Sequence, residues 1–382
     1  MKATSLPLCD PDMSEFELDA VRQVLISSSL SAGPVVEEFE AAFAQYLGRK
    51  HAIAVASGEI GLLLTLQAFG IGKGDEVVAS AHSFRETAHA IMLSGARPVF
   101  ADIDYWAGTI SPDKAAAVLT ERTRAIIGAN ANGHPAPWQP LRELAKSAGV
   151  ALIEDSTEAI GSIYKGSPVG TFGDCSIFDF SQPGALVCGE GGMIVTDDDD
   201  RAIAIRRLRS RRIDERSSVV IGAVAPLQAN LSDLSAALGL AQLRRIDVLL
   251  ARRKCVEAWY YDYLRSFEGI KDPYIAPDVE EVHWFLYVVH LGTRFSRSSR
   301  DSIVDDLHRE QIEAAAYSQP LHLQRLYFNA GYRRGDFFVT EKVADRAVAL
   351  PFHAHLTEAQ VAFIVGTMKD ASINVGAGAA IY

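Results

Sequence analysis

Several features that would point elsewhere are missing from this sequence. Its four cysteines, Cys9, Cys175, Cys188 and Cys255, are scattered and form no Cys-x-x-Cys pair. That argues for reduced thiols and against a disulfide frame or a zinc site. No apolar run approaches the roughly 20 residues of a membrane span. The opening "MKATSLPLCDPDMSEFELD" lacks the apolar core of a signal peptide. The expectation is a cytoplasmic protein with no membrane partner. Positive charge is scarce too: 37 Lys and Arg stand against 48 Asp and Glu, a net charge of -11. General nucleic-acid binding by phosphate neutralisation is therefore not expected. The one basic run, Arg206 to Arg216, reads as a solvated helix end and loop. The histidines offer no strong metal site, and His353-Ala-His355 reads as surface or packing. No P-loop, G-x-S-x-G or G-x-G-x-x-G motif supports a rival enzyme class.

What is present is a large apolar fraction, 48% of 382 residues, enough for two or three domains. Short β-branched runs recur at 51–57, 75–81, 97–104, 124–131, 150–156, 175–181 and 192–197. Helical patterns such as "EIGLLLTLQAF" and "WQPLRELAKSAG" lie between the first five. Continuous apolar strands alternating with helices predict a mostly parallel α/β sheet with right-handed crossovers. Only a short Gly-rich link separates the last two runs, too short for a helical crossover, so one strand is expected to be antiparallel. A single long helical pattern spans 233–267. The chain then mixes "HWFLYVVHL" with the helical "RDSIVDDLHRE" and "TEAQVAFIVGTMKD". The predicted organisation is an N-terminal segment 1–30, a large α/β domain 31–245 and a small α+β domain 246–382. The Gly/Ala-rich tail is expected to be loose.

One place reads as chemistry from its residues alone. Ser57-Gly58 stands between a strand and a helix start, where unpaired backbone N–H groups favour an anion. Asp155 closes a predicted parallel strand. Each also has an ordinary reading, the first as a turn and the second as a helix cap, just as Phe84 reads as core.

The stretches "ASGEIGLLLTLQAFGIGKGDEVVASAHSF", "ARPVFADID", "ALIEDSTEAIGSIYKGSPVGTFGD", "GEGGMIVTD", "LSDLSAALGLAQL" and "PLHLQ", in this order and spacing, resemble the DegT/StrS family of pyridoxal-phosphate (PLP) sugar aminotransferases. The resemblance runs over nearly the whole chain. It implies a fold-type I PLP-transferase architecture, with a seven-stranded, mostly parallel large domain and a small α+β C-terminal domain. It also implies a homodimer with active sites at the interface. In that frame Ser57 and Gly58 fall on the phosphate turn, Phe84 on the ring stacked over the pyridine, and Asp155 on the partner of the pyridine nitrogen. His134, Tyr317 and His322 fall on segments that face the site.

Other positions depart from the family pattern. Counting back from Gly189-Glu190-Gly191-Gly192, the Schiff-base lysine of "FSFHPTKNL…GEGG" falls on Gly184. The phosphate-binding serine five residues earlier is Asp179. The threonine after Ser-Gly is Glu59, and the glutamine of "EDAAQ" is Glu158. The partner-subunit asparagine and arginine become Gln228 and Asn230, and the histidine of "HYP" is Ala316. A carboxylate at ~5 Å from a phosphate costs roughly 3 kcal/mol per unit charge at an effective dielectric near 20. These departures imply a PLP site that has been dismantled or converted.

The expected function is therefore PLP-independent acid/base chemistry on a sugar-like or natural-product intermediate, with elimination, isomerisation or cyclisation as outcomes. Glu158, Asp179 and His134 are the catalytic candidates and Phe84 a stacking platform. No covalently held cofactor is expected. Two alternatives stay open. One is a non-catalytic subunit supporting a lysine-bearing paralogue. The other is a dehydratase or aminotransferase-like enzyme using noncovalent PLP or pyridoxamine phosphate (PMP). Cys188 beside the glycine turn is expected to be buried and inert.

Overall fold

In the computed structural model, residues 5–180, 184–210, 226–265 and 267–379 are described. Two helices, α1 (Glu15–Leu25) and α2 (Pro34–Leu47), precede the sheet. The capping box of Ser14 and Glu17 starts α1, satisfying two otherwise orphaned N–H groups. Strands β1 (His51–Val55), β2 (Glu76–Ser80), β3 (Arg97–Ala101), β4 (Thr123–Ala129) and β5 (Ala151–Asp155) then alternate with α3 (Gly58–Ala68), α4 (Arg85–Leu93), α5 (Pro112–Ala117) and α6 (Trp138–Ala148). A small hairpin, β6 (Ile163–Tyr164) and β7 (Ser167–Pro168), leads to β8 (Cys175–Asp179) and β9 (Gly192–Thr196).

The large sheet has seven strands in the order β1-β9-β8-β5-β4-β2-β3. Its seven strands coincide with the seven apolar runs. β9 runs antiparallel to both neighbours, β1 and β8, and the remaining pairs are parallel. The short Gly-rich link forces that reversal, because it spans only the width of a hairpin. It is held shut where Phe180 N donates to Gly191 O and Cys188 N to Phe180 O. Apolar side chains cover both faces. Leu64, Leu66, Ile91 and Ile205 lie in the cluster on one side, and Phe39, Phe43, Phe178 and Leu240 in another.

Helix α7 (Asp199–Arg209) returns along the edge of the sheet, where Arg206 and Arg209 donate to the carbonyls of Ala52 and Ala54 in β1. The basic run thus begins as an anchored helix end; 211–216 lie outside the described residues. The long helical pattern after it is two helices. α8 (Asp233–Arg244) and α9 (Ile246–Leu264) meet at Arg245, whose backbone is not helical. Arg245 is held there by ion pairs to Asp12 and Glu17, so tertiary charge pairing overrides the helical pattern at the expected domain boundary.

Beyond α9, the strands β10 (Ile270–Lys271), β11 (Val279–Glu281), β12 (Tyr287–Leu291), β13 (Ala315–Ala316) and β14 (Ala347–Leu350) are joined by α10 (Arg297–Arg309) and α11 (Phe338–Ala344). Four of them form an antiparallel sheet, β10-β12-β14-β13, backed by α10, against which the final α12 (Glu358–Ala379) packs. β11 instead pairs with β6 of the large domain. One hydrophobic cluster runs from Val78, Ile126 and Trp138 through Tyr260 and Tyr287 to Val361, so the two lobes share a core. The N-terminal segment packs on the small lobe, with Leu6 bridging to Ile312 and Leu8 O accepting from Phe352 N. No helix among the described residues is long and apolar enough to cross a membrane.

Candidate active site

The parallel strands all end at one rim, where an open α/β sheet places its ligands. Five of these strands each deliver a different group there. Ser57-Gly58 follows β1, Phe84 follows β2, the loop of Asn130 to Asn132 follows β4, Asp155 to Glu158 close β5, and Asp179 is the last residue of β8. Adjoining cavities lie among them. One of about 100 Å³ is lined by Ser57, Gly58, Glu59, Phe84, Asp155 and Asp179. A second, of about 410 Å³, shares Phe84 and Asp155 and adds Glu158, Phe285 and Tyr317. A third, of only about 10 Å³, holds Gly184 beside Glu158, Asp179 and Arg253.

At the first cavity the anion-binding start of α3 is already engaged. Ser57 is the N-cap, and its Oγ accepts from Ile60 N at 3.2 Å. Gly58 N donates to Asp179 Oδ2 at 2.6 Å. A carboxylate at this position is favoured by the partial positive charge of the helix N-terminus. Asp179 packs down on the turn: a Cβ added to Gly58 would lie 2.7 Å from the Asp179 Cβ. Glu59, in the first turn of the same helix, lies 3.5 Å from His89 Nδ1 and is half-buried.

The second cavity is built on two buried carboxylates. Asp155 Oδ2 accepts from Thr87 Oγ1 at 2.9 Å and Oδ1 from Thr157 N at 3.2 Å. Burial, opposed by these bonds, raises its pKa above the ordinary carboxylate value. Glu158 Oε2 accepts from Tyr317 Oη and from Asn132 N, both at 2.6 Å. Its Oε1 is buried and has no partner among the described residues. Burial, assisted by the nearby charge of Asp155 and opposed by the Tyr317 and Asn132 bonds, pushes the Glu158 pKa up to about 7.

Glu154, four residues earlier, shows the contrast. It is fully buried, yet it receives Asn130 Nδ2, Ser156 Oγ and Gly170 N on one oxygen, and Phe172 N, Gly173 N and Ser176 Oγ on the other. The loops around this strand can therefore saturate a buried carboxylate. They leave Glu158 half-satisfied and poised to exchange a proton near neutrality.

The other sequence candidates fall in different places. Tyr317 joins the cavity through Glu158. Phe84 meets Phe285 edge to face, with ring centroids 6.3 Å apart. His134 does not face the carboxylates with a free nitrogen: its Nδ1 donates to Pro135 O at 2.8 Å and its Nε2 accepts from Ala276 N at 3.1 Å. Both ring nitrogens are used by main chain, and burial lowers its pKa, so it stands as a neutral structural residue. His322 points away, with its Nε2 on Glu341 Oε1 at 3.0 Å and its ring against Phe337. Gln228 is exposed on the segment beside α7, and Ala316 is exposed on β13. Cys188 is buried, and burial raises its thiol pKa well above the ordinary value, as expected of an inert cysteine. His353 is buried beside His355, with ring centroids 6.2 Å apart.

Sequence reading missed Asn132, Thr87 and Thr157. Asn132 has φ 50, a left-handed conformation that asparagine tolerates better than most residues. There its N–H reaches Glu158, its carbonyl accepts from Phe285 N and its Oδ1 from Leu286 N. It therefore ties the loop after β4 to the small lobe. The Asn-Gly pair of "NANGHP" was the available signal.

Comparison with known proteins gives a consistent placement. The sequence profile of the DegT/DnrJ/EryC1/StrS aminotransferase family matches residues 11–369. GDP-perosamine synthase of Caulobacter vibrioides is 34% identical over 369 residues, covering 96% of this chain and 97% of that protein. DesV of S. venezuelae, solved in complex with a ketimine intermediate, superposes with a TM-score of 0.88 at 30% identity, covering 97% of this chain and 99% of DesV. Spr1654 of Streptococcus pneumoniae, solved in its PMP form, superposes with a TM-score of 0.92 at 25% identity, over 98% of this chain and 99% of the other. The fold is thus that of the fold-type I PLP-transferases, and the chain belongs to the DegT/DnrJ/EryC1/StrS aminotransferase family.

Proposed function

We propose that this chain acts on a sugar-derived biosynthetic intermediate by proton transfer at Glu158, without a Schiff base to PLP. PLP, where bound, supplies an electron sink for carbanion chemistry. The residues here do not fit a covalently linked form of it. In the family frame the lysine position is Gly184, which has no amine. The phosphate turn is the Ser57-Gly58 segment, whose Gly58 N–H is held by the chain's own Asp179 carboxylate. The half-satisfied Glu158, with Oε2 clamped by Tyr317 and Asn132 and Oε1 without a partner among the described residues, carries this reading.

In this reading each group has a task. Tyr317 and Asn132 fix the Glu158 carboxyl and stabilise its ionised form. Burial disfavours that form, so the proton is held loosely near neutral pH. Asp155 supplies a second negative wall. Phe84 and Phe285 offer an apolar surface for a ring. Asp179 closes the end of the cavity at α3 rather than reacting. The likeness to GDP-perosamine synthase supports a sugar-derived substrate, and proton transfer at a sugar carbon would give elimination, isomerisation or cyclisation.

A second reading is favoured by Asp155. It keeps a buried position at the end of β5 beside Phe84, the arrangement that would receive a pyridine nitrogen. That supports noncovalent PLP or PMP, with Asp179 displaced from Gly58. The two separate in one experiment. The protein is incubated in D₂O with nucleotide-linked amino and keto sugars, without and with PLP or PMP. Deuterium uptake at a ring carbon without cofactor, lost in Glu158→Gln, is expected. Turnover that requires added cofactor would favour the second reading.

A further inference from the structure

We infer that the cavity where β2 and β3 begin is a second ligand site, one that takes a phosphate ester with an apolar body. It lies at the rim opposite the strand ends and does not rest on the reading of Glu158.

Glu76 opens β2, Arg97 opens β3, and Arg122 stands just before β4. The Glu76 side chain is 1% exposed. Its Oε2 accepts from Thr120 Oγ1 at 2.7 Å. Its Oε1 meets Arg97 Nη2 and Arg122 Nη2, each at 2.6 Å. One guanidinium compensates one buried carboxylate, so the second brings a surplus positive charge. The two arginine side chains are 50% and 64% exposed, and neither has another side-chain partner among the described residues. The other acid on this wall, Asp75, is answered by Arg124 at 3.4 Å. The group therefore hides its negative charge and turns its positive charge outward, in a chain whose net charge is -11. Two guanidinium planes, anchored from behind and with N–H groups to spare, match the several terminal oxygens of a phosphate.

The rest of the cavity supplies the apolar part. Its volume is about 540 Å³, within the range of small-molecule sites. Met92 and Pro98 line it from the large lobe, and Leu326 and Tyr327 from the small one. Met92 and Leu326 are exposed, and open apolar side chains beside a charged rim are a mark of ligand grooves. The Tyr327 ring is fixed edge to face against Phe100 of β3, with centroids 5.1 Å apart. A ligand seated there would touch both lobes.

The test uses the full-length protein and three probes: phenyl phosphate, inorganic phosphate and benzyl alcohol. Each is titrated while the methionine methyl groups are followed by ¹³C NMR, with the Met92 resonance identified in Met92→Leu. Phenyl phosphate is expected to shift the Met92 methyl saturably at roughly millimolar concentration. It should bind at least about tenfold tighter than inorganic phosphate or benzyl alcohol. Arg97→Gln and Arg122→Gln should each weaken it about tenfold. Each variant leaves Glu76 one arginine, so the fold is kept, and a denaturant melt checks this. An unmoved Met92 methyl in wild-type protein would overturn the inference without any arginine variant. So would inorganic phosphate binding as tightly as the ester, which would mean an adventitious ion only, or an affinity unchanged in either folded arginine variant.

Discussion

Asp179 Oδ2 accepts the backbone N–H of Gly58 at 2.6 Å, so the chain places its own carboxylate on the helix start that would otherwise face an anion. The sequence suggested a repulsive charge near a phosphate. The structure shows a more specific relation, in which one donor cannot serve two anions. Asp179→Ser frees Gly58 N and removes the charge. Phosphate-containing ligands should then bind on the order of a hundredfold tighter. The same change should cost about 1 kcal/mol of stability, because the helix start loses its anionic partner. Calorimetric titration with PLP and a denaturant melt check both halves.

Glu158 makes stability depend on pH in a stated direction. Its pKa rises from 4.5 to about 7 on folding, so between those values the native state holds a proton that the unfolded chain has released. Stability therefore falls as pH rises through this window. Asp155, shifted the same way, adds to the fall. Glu158→Gln should flatten the slope and gain up to about 3 kcal/mol relative to wild type at pH values above the window. Chemical denaturation across the acid-to-neutral range would show it. An unchanged slope would mean that Glu158 is not held protonated.

His134 is predicted to matter for folding only. His134→Ala leaves Ala276 N and Pro135 O without their partners, at a cost of about 1–3 kcal/mol. The titration of Glu158 by NMR should be unaltered. A shifted Glu158 pKa in this variant would return His134 to the catalytic group.

Restoring an amine at Gly184 should not by itself restore the family chemistry. Gly184→Lys mixed with PLP is expected to stay without the yellow imine band at about 420 nm, since Asp179 still occupies Gly58 N. The triple change with Asp179→Ser and Glu59→Thr should develop it. Absorption spectroscopy decides, and a yellow single variant would show that Asp179 moves aside readily.

Much of this architecture was legible because it is written in local pattern. Seven apolar runs became seven strands, and the short link at 181–191 required an antiparallel β9. The split at Arg245 was not legible, since the pairing of Arg245 with Asp12 and Glu17 joins residues more than two hundred positions apart. The site divides in the same way. Asp155, Glu158 and Phe84 sit at the predicted strand ends. Whether a histidine is free or bonded depends on what the fold brings to its ring. His134 and His322 therefore looked like Tyr317 in sequence, and only Tyr317 reaches Glu158. The partner Asn132 was hidden because it acts mainly through its backbone.

Equilibrium dialysis of the unmodified protein against PLP, beside Asp179→Ser, tests the occupied helix start most directly. Wild-type protein should show no saturable binding at micromolar PLP, and Asp179→Ser should bind on the order of a hundredfold tighter. Micromolar binding by the wild type, unchanged by the substitution, would contradict a cradle held by Asp179 and put a noncovalent cofactor back in the site.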